Sequence, residues 1–109
     1  MADDQVSVRA SIRFLSTEEG GRSSPLLGGG RYWPNHNFLG PDDRDMCMGL
    51  IELPEGHPVK PSDTIETKIT FWIYPVVKAE IRTGRHWRIQ EGNKLVAVGT
   101  VLEVLGPVP

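Results

Sequence analysis

The chain lacks the features that mark secreted, membrane-bound or strongly charged proteins. It has one cysteine, Cys47, so no internal disulfide can form. The 14 acidic residues nearly balance the 12 Lys and Arg residues, and the cations are spread along the chain. Since there is no bulk basic field, any contact with RNA must depend on a local patch.

Targeting, membrane and nucleotide-binding segments are lacking as well. Residues 1–10 have neither the basic start nor the apolar run of a secretory signal. No apolar stretch approaches the length of a membrane span. No G-x-x-x-x-G-K-[ST] loop is present to hold phosphates. We therefore expect a cytoplasmic location, no membrane partner, no nucleotide and no other cofactor.

What the sequence does contain is the two-residue alternation of β-strands, in a chain of 109 residues that suits one core. Apolar residues alternate with polar ones over 6–14 and again over 64–73. Over 95–104 both alternating sets are largely apolar, which predicts a central strand covered on both sides. No segment shows sustained helical periodicity.

Turn residues divide these strands. Gly92-Asn93 stands between two strand-like runs, which predicts a two-residue type II′ hairpin. A short strand over 47–53 is stopped by Pro54. Residues 20–45 hold half of the 12 glycines, which predicts a long loop region with room for one short strand. Short strands between turns predict an all-β barrel or sandwich, and a barrel removes exposed edges.

Three motifs point to a known family: Glu19-Gly20-Gly21-Arg22, the run GLIELPEG over 49–56, and the run WRIQEGNKLVAVGTV over 87–101. Over about residues 6–106 the chain resembles the C-terminal domain, domain III, of the translation elongation factor Tu family. The resemblance implies a six-stranded antiparallel β-barrel, and we expect a flexible N-terminus over 1–5 and a C-terminal tail over 107–109.

The resemblance also implies a binding role. In the intact factor this domain follows a GTPase domain and another barrel, holds the T-stem backbone of aminoacyl-tRNA and contacts the exchange factor Ts. Arg22 occupies the Arg of the family's G-G-R motif, and Glu91 with Gly92 occupies its E-G turn, on the tRNA side. An Arg fork can bind phosphate. Arg22 could instead close its own loop, and Glu91 could simply shape the hairpin.

The chain departs from the family at several of the expected contact positions. Ser23 replaces a His, Met48 replaces a Thr, and Arg88 replaces a small Ala at the interface with the GTPase domain. The segment over 34–49 is longer than in the family and carries Asp42, Asp43 and Asp45 near the expected tRNA face. These carboxylates would repel phosphate.

The most unusual stretch runs from Arg31 to Phe38, where the family reads R-P-Q. Tyr32 and Trp33 are extra residues and Asn35 stands for the Gln. Its candidate partner-binding residues are Arg31, Tyr32, Trp33, Asn35 and His36. Such a set could stack bases or form a protein-binding hot spot. Alternatively, Trp33 and Phe38 plug one end of the barrel. Trp72 lies on the polar face of its strand, so we expect it to be covered by the loop or exposed as a contact.

Catalytic and metal chemistry have weaker support. His36, His57 and His86 lack the paired spacing of zinc ligands, and we expect Cys47 to fill the core. We predict a non-catalytic module that binds tRNA or a protein that recognises elongation factor Tu. The alternatives are a decoy that mimics the factor to capture a protein, and a small enzyme using His36, Asp42 or Asp45.

Overall fold

The computed structural model describes residues 5–26, 28–40, 46–73, 77 and 79–107. Within these ranges seven β-strands form: β1 Gln5–Phe14, β2 Arg31–Tyr32, β3 Asn35–Asn37, β4 Cys47–Glu52, β5 Thr64–Trp72, β6 His86–Glu91 and β7 Lys94–Pro107. The strands extend one residue beyond the expected 6–106 at each end. The rest of the expected flexible N-terminus and tail, 1–4 and 108–109, lies outside the described residues.

All strands pair antiparallel and close into a barrel. The ring runs β4, β3, β6, β7, β1, β5, and β5 pairs again with β4. Strand β2 is an addition that also pairs with β4. The predicted six-stranded antiparallel β-barrel is therefore confirmed, with one extra strand. Because the ring is closed, its main strands satisfy each other's backbone hydrogen bonds.

The alternation read from the sequence sets the inner and outer faces of β1 and β5. All five apolar positions of β1 from Val6 to Phe14 are buried. On β5, Ile69 and Phe71 are fully buried, and Thr70 between them faces outward. These side chains form one core inside the barrel. Their burial is the main stabilising contribution of the fold.

Strand β7 differs in part from its prediction. It lies between β1 and β6, as expected for a central strand. Its inner face is buried at Ala97 and Val101. In the second apolar set Val96 is buried, Val98 and Leu102 are half-buried and Val104 is 39% exposed, and Leu105 next to it is 49% exposed. The sequence pattern overestimated the cover because alternation shows which residues share a face but not what packs against it.

The predicted long loop over 20–45 holds two short strands rather than one. Strands β2 and β3 pair with β4 in the same register, Tyr32 opposite Ile51 and Asn35 opposite Met48. They are thus two pieces of one extended path, interrupted at Trp33 and Pro34. Proline has no backbone N–H to donate to a ladder, which accounts for the interruption. Residues 41–45 lie outside the described part of the chain.

In the core, Trp87 on β6 lies directly against Gly99, the residue opposite it on β7. A Cβ placed on Gly99 would lie 2.4 Å from Cη2 of Trp87 and 2.6 Å from Cζ2 and Cζ3. All three atoms belong to the six-membered ring of the indole. The glycine therefore makes room for the tryptophan.

We expect Gly99→Ala to lower the free energy of unfolding by about 2 kcal/mol, because overpacking forces the indole from its position. Urea unfolding measures this loss. The single ring of phenylalanine does not extend as far as the six-membered ring of the indole. In a Trp87→Phe background the same substitution should therefore cost less than about 1 kcal/mol. An equal cost in both backgrounds would contradict the steric explanation.

Candidate functional site

The eight residues predicted to contact a partner fall into three groups. His36 lies inside the barrel. Arg22, Tyr32, Glu91 and Gly92 meet at one end of the barrel. Arg31, Trp33 and Asn35 lie on the outer face of the wall formed by β2, β3 and β4. The structure therefore does not bring the eight together as one surface.

His36 is a core residue and is not available to a partner. Its side chain is fully buried, with the edge of its ring against Phe71. The indole N–H of Trp87 donates to Nδ1 over 3.0 Å, so the neutral ring carries its proton on Nε2 and donates to the Gly49 carbonyl over 3.2 Å. Burial lowers the pKa of His36 to about 4. Strand alternation directs the side chain inward, so the barrel wall separates His36 from any partner.

At the barrel end, Glu91 holds two of the predicted residues. One oxygen of its carboxylate accepts hydrogen bonds from the Arg22 guanidinium and from the Tyr32 hydroxyl. The guanidinium also lies over the Tyr32 ring, 5.8 Å from its centroid. Beneath them, the Tyr32 ring packs against Phe14. We call Arg22, Tyr32 and Glu91 the end cluster.

The end cluster is satisfied by its own members. Burial raises the pKa of Tyr32, and its hydrogen bond to Glu91 raises it further, so the phenol stays neutral. The charges of Arg22 and Glu91 offset each other, and Arg22 Nε donates to the Ser24 carbonyl over 3.3 Å. Arg22 thus closes its own loop, one of the two roles considered from the sequence. A phosphate would have to compete with Glu91 for this guanidinium.

Gly92 forms the predicted hairpin turn next to the end cluster. Glu91 pairs with Lys94, which leaves two residues in the loop, and Gly92 has a φ of 63°. Among the described residues, only Ser62 combines a side chain with positive φ, so Asn93 has negative φ. Positive φ at the first loop position alone is the type II′ pattern, which confirms the prediction.

The outer wall carries an apolar surface that the sequence did not reveal as one unit. Trp33 is 48% exposed and Met48 is 58% exposed. The rings of Trp33 and Trp72 lie side by side, with centroids 5.3 Å apart and a tilt of 38°. Leu50 is half-buried on the same face of β4 as Met48. We call Trp33, Met48, Leu50 and Trp72 the tryptophan surface.

This arrangement corrects one prediction and settles another. Trp33 does not plug the barrel, because it lies one residue beyond the inward-facing Tyr32 and so points outward. Phe38 does fill the interior, stacked on Trp87 with ring centroids 5.4 Å apart. Trp72 is both covered by the loop, through Trp33, and part of an exposed surface. Met48 is directly opposite Trp72 across β4 and β5.

The described residues offer little that resembles a catalytic centre. Burial raises the pKa of the Cys47 thiol to about 12, so it stays protonated and unreactive near neutral pH. In the described ranges no three His, Cys, Asp or Glu side chains come together as metal ligands. Asp42 and Asp45 lie outside those ranges. No helix of the described chain is long and apolar enough to cross a membrane.

The ion pair of the end cluster should contribute measurably to stability. In a double-mutant cycle with Arg22→Met and Glu91→Gln, we expect a coupling of about 1 kcal/mol in the free energy of unfolding, since the side chains are only 24% and 34% exposed. The matched control is Arg9 with Glu103, whose side chains are 44% and 58% exposed. Its coupling should stay below about 0.5 kcal/mol. Equal couplings would show that the end cluster is an ordinary surface pair.

Buried His36 should make the protein less stable in acid. Its pKa falls from 6.5 to about 4 on folding, so the stabilisation is complete above pH 6.5 and is lost as the pH falls to 4. His36→Gln keeps a donor and an acceptor but does not titrate. Between pH 7 and pH 4 we expect the wild type to lose about 3 kcal/mol more unfolding free energy than this variant. Parallel pH profiles in urea unfolding would contradict the assignment.

No model of a known protein family matches the chain, so no family supplies residues to set beside these sites. The likeness to domain III of the elongation factor Tu family rests on the three sequence motifs and stays a prediction.

Proposed function

We propose that the chain is a non-catalytic binding module and that its ligand is a protein, held at the tryptophan surface. The observation that carries the proposal is the pair of adjacent indole rings on the outside of a closed barrel, next to a methionine that is 58% exposed. Strand register directs these positions outward, and the large apolar side chains there face solvent instead of adding to the barrel core. A contiguous exposed apolar group on a small domain is typical of an interaction site.

The composition of the surface supports a protein ligand. Its centre is two tryptophans with a methionine and a leucine, and its border includes the polar residues Asn35 and Thr70 on the same outer face. Protein interfaces have an apolar centre and a polar rim, with tryptophan among the residues that contribute most binding energy. Methionine adapts its shape to different partners. These properties suit a rigid anchor point for another protein.

The electrostatics argue against tRNA as the main ligand. The residue that the family resemblance assigns to phosphate, Arg22, is already paired with Glu91. The chain has a formal net charge of -2. Binding to phosphates gains its affinity from cations that replace the counterions of the nucleic acid, and the Arg22 cation at the barrel end is already held by Glu91. A protein that recognises elongation factor Tu remains the partner class that the family resemblance favours.

Trp33→Ala should weaken partner binding at least about tenfold, since removing a central interface tryptophan costs about 2 kcal/mol or more. The protein should stay folded, because the exposed pair with Trp72 contributes only about 1 kcal/mol to stability. The test is affinity capture of the tagged protein from a lysate of its own cells, then a titration with the recovered protein. Val98→Ala is the control, since Val98 is half-buried on the outer face of β7, on the opposite wall.

Nuclease and salt separate the two ligand classes. We expect the partner to be recovered with or without nuclease, and its binding to depend only weakly on salt. A ligand that is lost on nuclease treatment and that weakens steeply with salt would contradict the proposal and favour tRNA. Equal binding by the wild type and Trp33→Ala would also contradict it.

A further inference from the structure

Three sulfur-containing residues follow one another at the start of β4, and they differ in exposure. Cys47 faces the core and is 1% exposed, whereas Met48 faces outward and is 58% exposed. Met46, just before the strand, is half-buried. Met1 lies outside the described residues. Within the described chain, Met48 is therefore the sulfur-containing side chain that a solute reaches most readily.

The position of Met48 is on β4, the middle strand of the tryptophan surface. Across the wall it is directly opposite Asn35 on one side and Trp72 on the other. The Cβ atoms of directly opposite residues are about 5 Å apart, so Met48 and Trp72 are close neighbours. The Trp72 indole meets Trp33 with ring centroids 5.3 Å apart. A change in the polarity of Met48 thus alters the middle of the surface and not only its border.

The neighbouring sulfur atoms of Cys47 and Met48 also differ in reactivity. Burial raises the pKa of the Cys47 thiol to about 12, and oxidants react with the thiolate, which is therefore scarce near neutral pH. A thioether has no proton to lose, so its oxidation depends on access and not on ionisation. Access favours Met48.

We propose that Met48 is a site of reversible oxidation by peroxides, and that this oxidation switches off partner binding at the tryptophan surface. Oxidation turns a flexible apolar side chain into a polar one whose sulfoxide oxygen accepts hydrogen bonds. An apolar partner side chain packed over Met48 would remove water from that oxygen without replacing its hydrogen bonds, which weakens binding. The barrel tolerates the change because the side chain faces solvent. This inference rests on the proposed function and adds regulation of the same surface.

The chemistry needs an oxidant for the forward step and thiols for the reverse step. With hydrogen peroxide, a lone pair on the Met48 sulfur attacks one oxygen, and the O–O bond breaks. The second oxygen leaves as hydroxide, takes the proton of the first and becomes water. The sulfur loses two electrons, and the peroxide gains them. Methionine sulfoxide reductases reverse the step with two thiols, which become a disulfide while the sulfoxide oxygen leaves as water.

Peroxide treatment of the full chain, followed by mass spectrometry of its peptides, tests the site itself. Met48 should form sulfoxide about fivefold faster than half-buried Met46, and Cys47 should remain a thiol. In the NMR spectrum the indole N–H signal of Trp72 should shift as Met48 is oxidised, while that of buried Trp87 stays in place. Equal oxidation rates at Met46 and Met48, or loss of the Trp87 signal through unfolding, would overturn the proposal.

Titration with the protein recovered by affinity capture tests the switch. After treatment and removal of the peroxide, the wild-type chain should bind that protein about tenfold more weakly, and methionine sulfoxide reductases with a thiol should restore the binding. Met48→Leu has no sulfur at this position, so its affinity should be the same before and after treatment. Met46→Leu is the matched control and should keep the wild-type response to peroxide.

The outcomes separate this inference from the proposed function. Unchanged binding by a chain fully oxidised at Met48, or an equal loss of binding in Met48→Leu after treatment, would overturn the switch and leave the protein-binding module. Failure to recover any protein whose binding depends on Trp33 would overturn both.

Discussion

Closure of the barrel depends on β3, a strand of three residues that must pair with both of its neighbours. Asn35 and His36 pair with β4, and all three residues pair with β6. A strand of three residues has few backbone hydrogen bonds. Its central residue, His36, adds two side-chain hydrogen bonds, one accepted from Trp87 on β6 and one donated to the Gly49 carbonyl on β4. A neutral imidazole suits this task because it is a donor at one nitrogen and an acceptor at the other.

The inward position of His36 on β3 also explains why the tryptophan surface faces outward. With His36 fixed inward, the two-residue period directs Asn35 outward, and the continuous register of β2 and β3 on β4 does the same for Trp33 and Arg31. The pairing of β4 with β5 then sets Met48 opposite Trp72. The tryptophan surface is thus a consequence of strand register. The closed barrel keeps it in place without a ligand, which reduces the entropy cost of binding.

The parts of the fold that could be predicted are those governed by local periodicity. The alternation of β1 and β5 and the glycine turn at Gly92 are visible in the sequence because each depends on neighbouring residues. The position of Trp33 was not visible, since it depends on the pairing of β2 and β3 with β4, where its neighbour Leu50 lies 17 residues further along the chain. The role of Met48 was missed for a similar reason. Its direct partner on β5, Trp72, is set by long-range pairing.

The end cluster shows a different limit of sequence reasoning. Arg22 and Glu91 were both singled out from the sequence as partner-binding candidates, and in the structure they bind each other. Charge type predicts what a residue can bind, but only the structure shows whether a nearer partner already occupies it. This distinction shifts the functional interpretation from the barrel end, where the cation is paired, to the outer wall, where Trp33 and Met48 are exposed.

The central claim is that a protein partner binds across Trp33 and Trp72 while the barrel core stays unchanged. The chain has three tryptophans, so its indole N–H signals in an NMR spectrum provide a direct test. On titration with the captured partner, the signals of Trp33 and Trp72 should shift, and that of Trp87, which is buried and bonded to His36, should not. Partner binding that leaves the Trp33 and Trp72 signals unmoved would contradict the account.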